Sequence, residues 1–233
     1  MKLSIIICTF NEKDTICELV KRVQKAKLPE GWEREVFVVD NLSTDGTRDL
    51  LSKLEGKYGL KVIYQKVNKG KSHSVREAIP LCSGDFVIPQ DGDLEYDPND
   101  FSRLIEKAID ERLDAVLGTR VKGATRYHAY RINEVGIAML TKIINWLFGA
   151  DYSDVATCYK LMRREKLLQL DLVSNGFNLD FELCAKFAKH HWRVAEVDIS
   201  YQARTFSEGR KMRPISAGLS ALGIILNEKM SRK

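Results

Sequence analysis

The stretch DFVIPQDGDLEYDP, residues 85–98, decides how the chain is read. Its first half, Asp85 to Gln90, is a short apolar run of the kind that forms a buried strand. Its second half sets Asp91, Asp93, Glu95 and Asp97 within seven residues, and their mutual repulsion must be offset by something positive. Carboxylate oxygens are hard ligands, suited to Mg²⁺ or Mn²⁺, ions that take one or two carboxylates and complete their shell from substrate phosphates. In an extended chain Asp91 and Asp93 point the same way with Glu95 next in line, so two or three of them reach one ion. The bland reading is a solvated loop that caps the following helix, a task for Asp97 or Asn99.

Outward from this run, short β-rich segments alternate with segments of helical period, which predicts one α/β domain with a mainly parallel sheet flanked by helices. Strands are expected at Leu3 to Cys8, Glu35 to Asp40, Lys61 to Lys66, Asp85 to Gln90, Asp114 to Thr119, Thr157 to Met162 and Val194 to Tyr201. Helices are expected from the stripe Ile16, Leu19, Val20, Val23, near Ser72 to Cys82, from Phe101, Leu104, Ile105, Ala108, Ile109, and around Asn133 to Phe148 and Leu179 to His190. A parallel sheet binds ligands beyond the carboxyl ends of its strands, where the acidic cluster falls.

The 233 residues are 44% hydrophobic and 30% charged, the composition of a folded protein. The net charge of +5 is too mild to announce nucleic acid, but it is unevenly spread. From Arg204 to the end, seven basic residues (Arg204, Arg210, Lys211, Arg213, Lys229, Arg232, Lys233) face Glu208 and Glu228, so that 7 − 2 = +5 sits in this segment alone. Five scattered cysteines without a C-x-x-C pair suggest reduced thiols and a cytoplasmic setting. No stretch approaches the ~20 apolar residues of a spanning helix, so the expectation is a chain that does not cross a membrane.

Two tempting motifs fail. Gly70-Lys71-Ser72 mimics the end of a phosphate-binding P-loop, but Gln65 stands where that loop needs glycine. No G-x-G-x-x-G follows the first strand, which removes support for a dinucleotide cofactor. The first strand instead ends in Cys8-Thr9-Phe10-Asn11-Glu12 and the second in Asp40-Asn41-Leu42-Ser43-Thr44-Asp45-Gly46-Thr47. Asp40 is placed to accept hydrogen bonds from a base or ribose, and Asp45-Gly46-Thr47 reads as a turn followed by a helix start.

Taken together, SIIICTFNE, VVDNLSTDGT and QDGDLEYDP resemble, in order and spacing, the inverting nucleotide-sugar glycosyltransferases with a GT-A fold. Within them they look like the dolichyl-phosphate mannose synthases and related polyprenyl-phosphate glycosyltransferases. The resemblance is strong over residues 1–120 and weaker to about 211. It implies that Cys8, Phe10, Asn11, Glu12, Asp40 and Lys71 surround the nucleotide sugar, a GDP- or UDP-hexose, and that Asp91 and Asp93, with Glu95, hold Mg²⁺ or Mn²⁺. Cys8 departs from the usual proline, Asn41 from a second aspartate and Gly92 from alanine. The stretch TRVKGATRYHAYR, 119–131, carries Arg120, Lys122, Arg126 and Arg131 without a carboxylate, a composition suited to phosphate oxygens. By resemblance Arg120 and Arg131 face the phosphate of a lipid acceptor, Val135 stands where a serine is usual, and Asp154 precedes the next strand. Tyr201, Arg204, Gly209 and Lys211 look like the segment that closes over the donor, with two extra residues.

The resulting expectation is a metal-dependent hexosyltransferase that moves mannose or glucose to a polyprenyl phosphate, with Asp91, Asp93, Arg120, Arg131 and Arg204 as its catalytic set. The division expected is a transferase domain over 1–211, donor-binding in 1–120 and acceptor-binding in 121–211. A basic amphipathic helix over 212–233, with Ile215, Leu219, Leu222 and Leu226 at helical spacing, would lie on an anionic membrane surface at the cytoplasmic face. Two alternatives stand beside it. One is a transferase with a saccharide hydroxyl as acceptor, which needs a base that Asp180 or Glu182 would supply. The other is a nucleotidyltransferase, which would be expected to show a glycine-rich loop where Cys8 to Glu12 has none.

Overall fold

The computed structural model describes residues 1–121, 131–204 and 214–231, without the side chains of 131–134 and 214–217. Lys122, Arg126, His128, Gly209, Arg210, Lys211, Arg213, Arg232 and Lys233, and the side chains of Arg131 and Ile215, lie outside the described residues.

Seven strands are described: β1 (Lys2–Thr9), β2 (Glu33–Asp40), β3 (Lys61–Tyr64), β4 (Phe86–Asp91), β5 (Ala115–Thr119), β6 (Lys160–Arg163) and β7 (Val194–Asp198). They form one sheet in the order β3-β2-β1-β4-β6-β5-β7. All neighbours are parallel except β6, which runs antiparallel to both β4 and β5. The helices are α1 (Ile16–Lys25), α2 (Thr47–Tyr58), α3 (Lys71–Ala78), α4 (Phe101–Asp110), α5 (Arg131–Phe148), the short α6 (Arg164–Leu167), α7 (Leu179–Lys189) and α8 (Pro214–Met230).

Strands buried on both faces read as unbroken apolar runs, and strand alternation then deals their side chains to two cores. Leu3, Ile5 and Ile7 of β1 join Val36 and Val38 of β2 and Phe86 and Ile88 of β4 in a core covered by α1, α2 and α4. Ile6, Phe37, Val39 and Val87 face the other side, covered by α3, α5, α7 and α8.

The structure moves several expected boundaries. β7 stops at Asp198 instead of Tyr201; the chain then bends, and Tyr201 makes a lone antiparallel bridge to Tyr96. β6 begins at Lys160, after a turn at Val155–Ala156 and an irregular stretch with a bend at Cys158. The helix after Gly70 ends at Ala78 and tightens into a 3₁₀ turn over Ile79–Leu81, where Pro80 has no N–H to give.

At the end of the sheet away from the strand carboxyl termini, Glu35 is buried among Ser4, Lys61 and Ser83. Its carboxylate accepts from Ser4 Oγ at 2.6 Å, Lys61 Nζ at 2.9 Å and the Ser83 N–H at 2.5 Å. Burial alone would raise its pKa, but these hydrogen bonds outweigh burial and hold it at about 2. Against an unfolded value of ~4.3, this group stabilises the fold fully above pH ~4.3 and loses that contribution as pH falls towards 2. Glu35→Gln is therefore expected to destabilise the protein at pH 7 by ~1–3 kcal/mol, the range for a charged hydrogen-bonded group, and by clearly less at pH 3. Urea unfolding of both proteins at the two pH values checks this; an equal gap at both would exclude the ionised carboxylate as the source.

Candidate active site

Three strand ends make the site. In the sheet β1 lies between β2 and β4, so Cys8 pairs with Asp91 on one side and Thr9 with Asp40 on the other. The loops that follow are tied to each other: Asn11, at a left-handed φ of 53°, donates its N–H to Ser43 Oγ and accepts the Thr44 N–H at 2.8 Å. The Glu12 N–H reaches Thr47 Oγ1 at 3.0 Å. Phe10 sits half-buried at the same edge. Asp45 Oδ1 accepts both the N–H and the hydroxyl of Thr47, which makes the turn before α2 as the sequence suggests.

Asp40 is fully buried, accepts the Ser43 N–H, and is paired at 2.5 Å with Arg48 Nε from the first turn of α2. Arg48 also donates to the Gln65 carbonyl and lies over the Tyr64 ring, so it seals the outer side of Asp40. Sequence reading missed Arg48, since an arginine in the first turn of a helix carries no signal beyond a solvated face. Cys8 is no nucleophile: burial pushes its thiol up to about 12 despite the nearby Lys71 cation, and its sulfur leans on the Lys71 carbonyl.

The acidic segment is held by cations from this chain. Lys71 Nζ, at the start of α3, lies 2.7 Å from Asp91 Oδ1 and 3.6 Å from Asp180 Oδ2 at the start of α7. Arg204 touches three carboxylates: Glu12 at 3.0 Å, Asp93 at 3.0 Å and Glu95 at 3.5 Å. It is brought there by backbone, with the Gln202 N–H on the Glu95 carbonyl and the Arg204 N–H on Glu95 Oε1. Tyr201 Oη donates to Glu95 Oε2 at 2.5 Å. Lys160, with no exposed surface, gives its ammonium to the Val155 and Thr157 carbonyls and to Asp180 Oδ1 at 3.1 Å.

Counting Glu12, Asp91, Asp93, Glu95 and Asp180 against Lys71, Arg204 and Lys160 leaves 5 − 3 = 2 negative charges uncompensated. The strain shows at Asp93, whose carboxyl is raised to about 7 by burial and by the charges of Asp91 and Glu95, with Arg204 opposing. This hard-oxygen donor set fits one divalent ion. Among the described residues no group of three or more side chains is already gathered for a metal. Asp91 and Asp93 are the residues that could hold such an ion, with the rest of its shell brought by a substrate diphosphate.

The other predicted residues fall on both sides of the cluster. Arg120 is spent on Asp154, with Nε to Oδ2 at 2.7 Å and a second guanidinium nitrogen to Oδ1 at 2.9 Å, and its third arm donates to Tyr96 Oη. Arg131 opens α5. Glu182 lies away from the cluster: fully buried, it accepts the N–H groups of Val173 and Ser174 and holds the loop before α7. Two residues after Asp180, about 200° round α7, it points to the opposite side of the helix.

Lys71 and Asp180 meet because two loops cross. Gly70, at φ +85°, lies so close to Gly176 that a Cβ on it would fall 2.5 Å from the Gly176 Cα. The Gly176 N–H donates to the Lys69 carbonyl, the Ser72 N–H to the Gly176 carbonyl, and the Leu179 N–H to Ser72 Oγ.

Residues 4–170 match the family model described as glycosyl transferase family 2. The chain belongs to glycosyltransferase family 2. The glycosyltransferase AglJ of Haloferax volcanii is 29% identical over 229 residues, 98% of this chain and 71% of that protein. The dolichol-phosphate mannosyltransferase of Pyrococcus furiosus is 32% identical over 219 residues, 90% of this chain and 59% of that one. Among solved structures, glucosyl-3-phosphoglycerate synthase from Mycobacterium tuberculosis in complex with UDP superposes with a TM-score of 0.75 at 17% identity, over 100% of this chain and 81% of that one. TarS 1–349 of S. aureus in complex with UDP-GlcNAc gives 0.66 at 23% identity, over 98% and 66%. The fold of this glycosyltransferase is GT-A.

The loop crossing yields a test. Gly70→Ala is expected to lower the melting temperature of the glycosyltransferase and to weaken donor binding at least ~10-fold. The φ at Gly70 is one that L-residues resist, and the Gly176 backbone must retreat and carry Lys71 with it. Donor affinity by calorimetry and a thermal melt check it; an unchanged affinity would show that the crossing does not position Lys71.

Proposed function

We propose that this glycosyltransferase moves a hexose, mannose or glucose, from a GDP- or UDP-sugar to a polyprenyl phosphate, with inversion at the transferred carbon. The observation that carries the acceptor class is the state of Asp180. Both of its oxygens are engaged by lysine ammonium groups, Lys160 at 3.1 Å and Lys71 at 3.6 Å, so it is a tethered counter-ion and not a free base. A sugar hydroxyl needs a base to take its proton, whereas a phosphate monoester is already ionised at neutral pH. The basic stretch 119–131, with Arg131 at its end, and the dolichol-phosphate mannosyltransferase relative support the same reading.

In this account Cys8, Phe10, Asn11, Glu12 and Asp40 line the nucleoside pocket, with Arg48 holding the Asp40 carboxylate in place. Asp91 and Asp93, with Glu95 beside them, hold Mg²⁺ or Mn²⁺, and crystal structures of the M. tuberculosis synthase contain each of these ions with UDP. Such an ion offsets charge on the leaving diphosphate. Lys71, beside Asp91, adds a further cation there, and Arg204 leaves its carboxylates to close over the donor phosphates once that charge is met. The acceptor phosphate is met by the basic stretch 119–131, in which Arg120 is braced by Asp154 and Tyr96 and Arg131 opens α5. Residues 1–211 form the transferring unit and 212–233 its helix toward an anionic membrane surface, where such a lipid resides. Among the described residues no helix is long and apolar enough to cross a membrane.

Labelled donor offered with a polyprenyl phosphate and, separately, with a soluble oligosaccharide tests the acceptor. The expected result is transfer to the lipid phosphate alone, abolished by EDTA and by Asp91→Asn or Asp93→Asn. Asp180→Asn is expected to lower kcat by less than ~100-fold, since removing a true general base costs ~10²–10⁴. Transfer to the oligosaccharide, lost on Asp180→Asn, would establish the hydroxyl reading instead.

A further inference from the structure

Lys160, the first residue of β6, has no exposed surface, and its ammonium has three N–H groups to place. All are spent inside the chain, on the carbonyls of Val155 and Thr157 and on Asp180 Oδ1 at 3.1 Å. It therefore has no proton to offer a substrate and no path to one. Burying an ammonium with a carboxylate costs desolvation at both, which an apolar pair of similar volume would avoid. The pair calls for a reason beyond packing.

The partner of Lys160 leads to the site. Asp180 turns its second oxygen to Lys71 Nζ at 3.6 Å, and Lys71 stands 2.7 Å from Asp91 Oδ1. The four side chains form a row of alternating charge, Lys160, Asp180, Lys71, Asp91, whose exposure rises from 0% through 13% and 13% to 22% at the end of β4. The inner end of the row is fixed by main chain, since its two carbonyls flank Ala156 just after Asp154, the residue whose oxygens hold Arg120. The outer end is a shared cation, with Lys71 drawn to Asp91 on one side and to Asp180 on the other. How strongly Asp180 draws it depends on how much of the Asp180 charge Lys160 has already met.

We propose that Lys160 is a positioning residue for sugar transfer: by meeting the charge of Asp180 from within, it leaves the Lys71 ammonium on Asp91, where it serves the donor diphosphate. Without Lys160, Asp180 keeps Lys71 as its remaining cation and draws it inward, off Asp91 and away from the diphosphate. Lys160 touches neither substrate nor metal and acts through Asp180 alone. For its nucleotide arm the inference rests on the donor reading above, whereas Mn²⁺ without nucleotide tests the Lys71–Asp91 contact by itself.

Calorimetry on the full chain uses two probes, Mn²⁺ alone and UDP or GDP with Mn²⁺. In Lys160→Met, Mn²⁺ alone is expected to bind about threefold tighter or more, because Asp91 loses its cation, while the diphosphate binds about tenfold more weakly, because it loses the same cation. A loosened structure would weaken both, so a packing role does not produce the opposed signs. In an Asp180→Asn background, Lys160→Met is expected to change neither affinity by more than about twofold, since the route through Asp180 is already cut. The double variant removes the buried anion together with its cation, and so tests the route even where Lys160→Met alone fails to fold. A further loss of about tenfold in the double variant, relative to Asp180→Asn, overturns the proposal. So does Mn²⁺ binding that is unchanged or weaker in a folded Lys160→Met protein. A native chain that binds Mn²⁺ but neither diphosphate removes the donor reading, and the Mn²⁺ comparisons then decide the positioning by themselves.

Discussion

The charge balance at the carboxyl end of β4 is the constraint on which the rest of the site depends. Glu12, Asp91, Asp93 and Glu95 approach one another because the strand ends of β1 and β4 are neighbours, and the fold tolerates them only because Lys71 and Arg204 are delivered to the same place. Each delivery uses a separate piece of chain. Lys71 comes from the start of α3, fixed by the crossing of Gly70 over Gly176, and Arg204 from the segment hung on Glu95 and on the Tyr96–Tyr201 bridge. What these cations leave uncompensated is the charge of one divalent ion, which explains why donor, metal and the closing segment are expected to act as a unit.

The same balance supports the proposed acceptor chemistry. Asp180 would be the natural base for a hydroxyl, since it faces the cluster from the start of α7. Lys71 and Lys160 hold it instead as a structural anion. Tethering of this kind costs a phosphate acceptor nothing. Arg120 follows a similar logic: its fork is filled by Asp154, which offsets its charge, so it lends rigidity to the end of β5 and is not a free guanidinium.

Much of this was legible in the sequence. The central strands announce themselves because burial on both faces demands unbroken apolar runs, and the carboxylates at the end of β4 and Asp40 at the end of β2 follow from strand ends in a parallel sheet. Less legible were groups whose importance comes from tertiary neighbours. Arg48, Lys160 and the Gly70–Gly176 crossing involve side chains or backbones brought together across 8, 20 and 106 positions. The reversal of β6 was hidden because a short central strand looks the same in either direction. In α8 the apolar residues run round both sides, so spacing alone could not say which face is inside. The structure buries Ala221 and Ile225 and leaves Leu219 and Leu226 out.

Arg204 stands where the charge of a metal is needed, and Mn²⁺ binding in the absence of donor is the test of this. Removing the guanidinium takes a competing cation from Asp93 and Glu95. Calorimetric titration of Mn²⁺ into Arg204→Met should therefore give tighter binding than in the native chain, by about tenfold, the equivalent of ~1.4 kcal/mol. Binding that is unchanged or weaker in the variant would contradict the account, because it would mean that Arg204 and the ion do not contest the same carboxylates.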